Sequence, residues 1–197
     1  MLPRCRTART EWPTHGPVLA VIRIGTVTNA EIVDGRFEDM GDDSTLLRLV
    51  ALTGRQQLSF SAACAELLMP ESDEHRRRHG LGGPNPLRSI LERLWALATN
   101  AGTPDVWDDA DASFDLIPST DQSSPSGSAG ARAAALAVHH AVLTWLMEQP
   151  YQGVYAMDQA VRHGPPDASH RLGDILTSLE AGVSPEDVRR EVSHPTT

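Results

Sequence analysis

Apolar residues between about positions 43 and 180 recur at helical rather than strand spacing. Ser44 is suited to cap a first helix that runs through Leu52. Thr53-Gly54 then begins a second helix, which we expect to end before Pro70 because proline interrupts the helical hydrogen-bond ladder. This second helix is apolar on nearly every face, which is typical of a helix at the centre of a bundle. Its apolar positions are Leu58, Phe60, Ala62, Cys64, Ala65, Leu67, Leu68 and Met69.

A second strongly apolar segment extends over about residues 129–149 and ends at Pro150. Its Ala135 and Ala141 would let another helix approach closely. Between the two apolar segments, Asn85-Pro86 is a helix start with proline at the first position. The amphipathic helix that follows has one apolar face, formed by Leu87, Ile90, Leu91, Leu94, Leu97 and Ala98. On its opposite side we expect Arg88 and Glu92 to form an i,i+4 ion pair.

Three shorter helices are predicted at about 152–163, 168–181 and 185–193, the last with Ser184 as its N-cap. We interpret residues 71–84 as a polar connection and residues 101–128 as a long loop. The sequence therefore predicts an all-α helical bundle with two buried central helices and a helical domain over residues 43–194. We expect residues 1–42 to be an irregular or disordered arm, or the product of a start codon assigned too early, with Met40 as an alternative start.

The net charge of −9 lies entirely in the second half of the chain, where 5 Arg face 14 acidic residues, whereas the first half is balanced. This distribution argues against nucleic-acid binding, which needs a basic face, and permits a basic protein partner. The hexamer Glu74-His75-Arg76-Arg77-Arg78-His79 is too short to change that conclusion and could pair with the acidic loop. All 17 basic residues are Arg, which together with the abundant Ala is typical of a GC-rich bacterial genome.

The two cysteines, Cys5 and Cys64, have no metal-binding spacing, and we expect Cys64 to be a small core residue. No segment is long and apolar enough to span a membrane, so we predict a cytoplasmic protein with no membrane association. The common nucleotide-binding, zinc-protease and hydrolase motifs are absent, and the sequence predicts no cofactor and no catalytic residue. Oligomeric state is left open.

Glu66 is the most informative single residue because it lies on the most apolar helix. A buried carboxylate needs a partner, and His139 and His140 of the 129–149 helix are the candidates. A Glu66–His140 pair would raise the histidine pKa and could bind a ligand or serve as a base. The alternative is that His140 is a core histidine and that Glu66 reaches solvent beside Ser59.

A second candidate is the acidic cluster of the 101–128 segment, which comprises Asp105, Asp108, Asp109, Asp111 and Asp115. Such a cluster could hold Ca²⁺ or meet a basic protein, but the residue order of an EF-hand is missing. A solvated acidic loop is the simpler interpretation. Trp107, in the middle of the cluster, is either an interface anchor or a residue that pins the loop to the helices.

Three sequence pieces together resemble a known family. They are the Ala-rich helix at 56–70 with its acidic residue four positions before a proline, Leu94-Trp95 in the next helix, and Ile117-Pro118-Ser119-Thr120-Asp121 before the Ala-rich helix 131–147. In order and spacing, over about residues 45–163, they are similar to the YjaG-like family of bacterial all-helical proteins, a domain of unknown function. The resemblance implies an all-α, bundle-like fold and implies no activity.

Two functional hypotheses follow. The first is a non-enzymatic interaction protein, of adaptor or immunity type, whose acidic C-terminal half meets a basic partner. The second is a small-molecule-binding or enzymatic bundle with a buried polar site formed by Glu66 and His140.

Overall fold

The structure, a computed structural model, describes residues 43–100, 106–118 and 128–193, and every regular element in these ranges is an α-helix. In chain order the helices are α1 (Asp43–Ala51), α2 (Gly54–Arg78), α3 (Pro86–Ala98), α4 (Trp107–Asp115), α5 (Ser128–Met147), α6 (Tyr151–His163), α7 (Ala168–Glu180) and α8 (Pro185–Ser193). The expectations for residues 1–42 lie outside the described residues. None of the described helices is long and apolar enough to cross a membrane.

Helices α2 and α5 pack against each other at the centre of the bundle, as predicted. Thr53 begins α2 with a capping box, in which its side chain accepts from the backbone N–H of Gln56 and the Gln56 side chain returns to the Thr53 backbone. The predicted apolar positions of α2 are all buried, and so are Ala135 and Ala141 of α5. Burial also raises the pKa of the Cys64 thiol, which fits its expected place in the core. The prediction of two mutually sheltering central helices is confirmed.

The prediction that α2 ends before Pro70 is wrong, because the helix continues to Arg78. Pro70 removes one backbone hydrogen bond, but contacts beyond it hold the extension in place. Ser72 is buried, and Asn85 donates to its hydroxyl at 3.0 Å and to a carboxylate oxygen of Asp73 at 2.8 Å. Tertiary contacts therefore outweigh the local cost of the proline.

The C-terminal end of α2 contains the basic hexamer up to Arg78, and among the described residues the ion pairs of the hexamer lie within it. Arg77 and Arg78 each donate to Glu74 at 2.6 Å. These hydrogen bonds lower the pKa of the Glu74 carboxyl to about 2. Arg76 instead donates to backbone carbonyls in the turn that follows, including that of Gly82 at 3.0 Å.

Outside α2 and α4, the helices begin and end within two residues of the predicted positions. In α3, Asn85 caps the helix by accepting from Leu87 N–H at 3.1 Å, and the predicted apolar face is buried. The expected Arg88–Glu92 pair does not form, since each residue binds a residue of another helix. Ser184 caps α8 by accepting from Asp187 N–H at 3.2 Å.

Candidate functional site

Helix α4 lies within the segment that the sequence predicted to be a loop, and it contains most of the acidic cluster. Val106, Asp109 and Ser113 are buried and Ala110 is half-buried, so the helix has a distinct inner face. That face packs on α5 and α3. The residues recur at i, i+3 or i+4 and i+7, which is the spacing of one helix face. The loop prediction for 101–128 is therefore wrong over Trp107–Asp115.

Asp109 fixes α4 to α3. Its side chain is only 6% exposed, and Arg93 approaches it with two donors. The Arg93 Nε donates to Oδ2 at 2.9 Å, and Nη2 donates to Oδ1. The hydrogen bond to Asp109 is the main cause of the raised pKa of Arg93. This forked geometry sets orientation as well as distance, so it holds α4 at a defined angle.

Ser113 fixes α4 to α5. Its hydroxyl donates to the carbonyl of Ala110 at 3.0 Å and lies 3.0 Å from Nδ1 of His139. The hydroxyl and the ring nitrogen share a hydrogen bond whose donor depends on the histidine tautomer. Burial lowers the pKa of His139, which favours the neutral ring. Ser113 therefore links α4 to α5 through the His139 ring.

The outer face of α4 presents an aromatic ring among carboxylates. Asp108, Asp111 and Asp115 are exposed, and Phe114 beside them is 63% exposed. The Phe114 ring lies 5.7 Å from the His139 ring, so one edge has a neighbour inside the protein. An exposed aromatic side chain on an anchored helix can insert into a partner, and flanking carboxylates favour a basic partner. We call Asp108, Asp111, Phe114 and Asp115 the α4 face.

The predicted site residues of this segment thus divide into three groups. Asp109 points inward and is paired, whereas Asp108 and Asp111 point to solvent. Trp107 is the first residue of α4, but its side chain and the whole of Asp105 lie outside what the structure describes. Within the described ranges, no group of three or more His, Cys, Asp and Glu residues is arranged to hold a metal ion.

Glu66 lies on α2, and its side chain is 13% exposed. Its Oε1 accepts from Nη1 of Arg88 at 2.9 Å, and the same guanidinium donates to Asp73 through Nη2 at 2.9 Å. Two carboxylates two helical turns apart on α2 therefore share one arginine of α3. Glu66 keeps this partial exposure, whereas Ser59 is buried and donates to the Arg55 carbonyl, so the expected polar strip shared by the two residues does not form.

His140 has different partners from Glu66. Its Nδ1 lies 2.8 Å from Oε1 of Gln152, which can only accept, so Nδ1 carries the proton. Its ring lies 5.3 Å from that of Tyr155. Burial lowers the pKa of His140, opposite to the rise that a Glu66 partner would cause. Among the described residues, no hydrogen bond or ion pair joins Glu66 to His140.

Sequence reasoning missed Arg88 and Arg93 as the partners of Glu66 and Asp109. Both arginines lie on the polar side of α3, where solvation is the usual expectation. A signal for α4 was present, however. Val106, Asp109-Ala110, Ser113 and Leu116-Ile117 recur at helical spacing and mark Asp109 as an inward carboxylate in need of a cation.

Comparison with known proteins supports the fold alone. No family model matches this sequence, and no curated protein matches it. The fold defines an all-α bundle built around two central helices. Among solved structures, it matches a DUF416 family protein from Shewanella baltica OS155 with a TM-score of 0.63, covering 75% of this chain and 92% of that one at 15% identity. DUF416 is the YjaG-like family, so the resemblance found in the sequence is confirmed as a likeness of fold.

Proposed function

We propose that this chain is a non-enzymatic, cytoplasmic interaction protein that binds a basic polypeptide through the α4 face. The observation that carries the proposal is that Phe114 is 63% exposed on a helix whose opposite face is held by Arg93 and His139. Exposing a large aromatic side chain to water is energetically unfavourable, and burying such side chains contributes much of the binding energy at protein interfaces.

The anchoring of α4 supports recognition rather than flexibility. Arg93 and His139 hold the inner face of the helix, so Phe114 and the three carboxylates keep fixed relative positions. A preorganised face loses less conformational entropy on binding than a mobile loop would. The carboxylates would raise the association rate with a basic partner, and salt would weaken this effect.

The second hypothesis required Glu66 and His140 to meet. Among the described residues each has a separate hydrogen-bond partner, Arg88 for Glu66 and Gln152 for His140. These contacts support a binding role over a catalytic one.

The proposal is tested by affinity capture from the native host with the full chain as bait, at low and at physiological salt. Two variants remove the two parts of the α4 face: Phe114→Ser, and the triple change Asp108→Asn, Asp111→Asn, Asp115→Asn. Val161→Ser is the matched control, because Val161 is 42% exposed on α6. We expect a basic protein that is lost with Phe114→Ser, weakened by the triple change and by salt, and retained by the control. A partner set unchanged by both variants would contradict the proposal.

A further inference from the structure

A groove of about 500 Å³ lies where α7, α8 and the α6–α7 connection meet α2 and α3. Its volume falls within the range of roughly 300–1,000 Å³ that is usual for small-molecule sites. Apolar atoms of Leu67, Pro70, Pro165 and Val192 contribute to its lining, together with four charged side chains. We call this the α2–α8 groove, and none of its residues belongs to the α4 face.

Two of the charged side chains, Arg88 and Glu66, form an ion pair with each other. Arg88 uses its donors on Glu66 and on Asp73, so this part of the groove wall is a closed network between α2 and α3. A ligand would gain little by competing with it, because both Arg88 and Glu66 already have charged partners.

Arg171 differs from Arg88, because no described carboxylate pairs with it. It is half-buried, and its Nη2 makes one long hydrogen bond, 3.4 Å, to the carbonyl of Val192. A guanidinium has five N–H donors arranged to fit a carboxylate with two parallel hydrogen bonds. Arg171 therefore brings to the groove a cation that is partly removed from water, and most of its donors have no partner among the described residues.

Glu71 brings the opposite charge to the same groove. It is exposed, and none of the ion pairs among the described residues includes it. Its side chain lies against the start of α5. A Cβ added at Gly130 would lie 2.8 Å from the Oε2 of Glu71 and 3.0 Å from the Cβ of Glu71. The glycine thus leaves space for Glu71 to lie against this helix. No ion pair joins Arg171 to Glu71, so the groove contains two opposite charges that do not neutralise each other.

We propose that the α2–α8 groove binds a zwitterionic ligand of the amino-acid or dipeptide class. Arg171 binds the ligand carboxylate, Glu71 binds its ammonium group, and the proline and aliphatic wall packs against an apolar side chain. Glu66 and Glu71 disfavour a dianionic phosphate, whereas a ligand that carries its own cation matches Arg171 and Glu71, neither of which has an ion pair within the described ranges. This inference does not depend on the function proposed for the α4 face.

The test is isothermal titration calorimetry of the full chain with three probes. Leucyl-leucine has both charges, leucyl-leucinamide lacks the carboxylate, and N-acetyl-leucyl-leucine lacks the ammonium group. We expect leucyl-leucine to bind and each capped analogue to bind about tenfold more weakly or worse, the loss expected for one charge-assisted hydrogen-bonded contact.

Variants then connect the effect to the two residues. Arg171→Gln and Glu71→Gln should each weaken leucyl-leucine binding about tenfold or more, and Arg171→Gln should abolish the preference for a free carboxylate. Arg55→Gln, which changes an exposed arginine outside the groove, should bind as the wild type does. Arg171→Lys, which keeps the cation, replaces Arg171→Gln if circular dichroism shows that the latter does not fold. Absence of binding by leucyl-leucine at millimolar concentration, or equal affinity of the wild type and of a folded Arg171→Gln or Glu71→Gln variant, would overturn the proposal.

Discussion

The Arg93–Asp109 pair gives the sharpest stability prediction, because one partner is buried and the other is not. The Asp109 side chain is 6% exposed, whereas that of Arg93 is 42% exposed. Arg93→Gln leaves a buried carboxylate without its cation, whereas Asp109→Asn leaves an arginine that water can still reach. The two single changes should therefore have unequal effects.

The magnitude lies between two limits. Removing one partner of a fully buried pair costs about 3–5 kcal/mol, whereas an exposed pair contributes about 0.2–1 kcal/mol. We expect Arg93→Gln to lower the free energy of unfolding by about 2 kcal/mol and Asp109→Asn to lower it by about 1 kcal/mol. In the double variant no charge is left unpaired, so its loss should be smaller than the sum of the single losses.

Urea unfolding followed by far-ultraviolet circular dichroism measures all three variants. Arg162→Gln is the matched control, because Arg162 forms an exposed i,i+4 pair with Asp158, and it should change stability by less than about 0.5 kcal/mol. If Arg93→Gln is as mild as this control, or if the single losses simply add, the anchoring of α4 by this pair is refuted.

Four further predictions concern the bundle itself. Pro70→Ala should stabilise the protein to thermal unfolding by about 1–3 kcal/mol, because it restores a backbone hydrogen bond within α2. Gly173→Ala should add about 0.5–1 kcal/mol, since a Cβ there meets nothing within 4 Å inside α7. Phe60→Ala should cost about 3–5 kcal/mol in urea unfolding, because the ring is fully buried. Burial lowers the pKa of His139 and His140 in the folded protein, so the unfolded chain binds more protons. The free energy of unfolding should therefore fall as the pH drops below about 6.5 toward the native pKa values. The double variant His139→Gln, His140→Gln should show a weaker pH dependence when urea unfolding is measured over a pH series.

The helices were predictable wherever apolar spacing and end signals agree. Thr53, Asn85 and Ser184 each precede a helix with a side chain that can accept a hydrogen bond, and all three act as caps. Proline carries a weaker signal, because its cost can be overcome by packing. We predicted that α2 ends before Pro70, but the helix continues to Arg78, and hydrogen bonds from Asn85 to Ser72 and Asp73 stabilise the extension.

The partners of charged residues were harder to predict than the helices. Whether Glu66 meets His140 or Arg88 depends on how α2, α3 and α5 are rotated about their axes, and sequence spacing within one helix does not specify that rotation. The same holds for Asp109. The sequence grouped it with four other aspartates, but among the described aspartates of this cluster only Asp109 is on the buried face of α4. Spacing identifies the face of a residue, but not the residue that it contacts.

Photo-crosslinking from position 114 tests the α4 face most directly. A photoreactive phenylalanine analogue replaces Phe114 in one sample and Val161, as the control position, in another, and both are irradiated in the native host. We predict an adduct with a basic protein at position 114, reduced by salt in a lysate and absent at position 161. No adduct at 114, or the same adduct at both positions, would contradict a docking role for this helix.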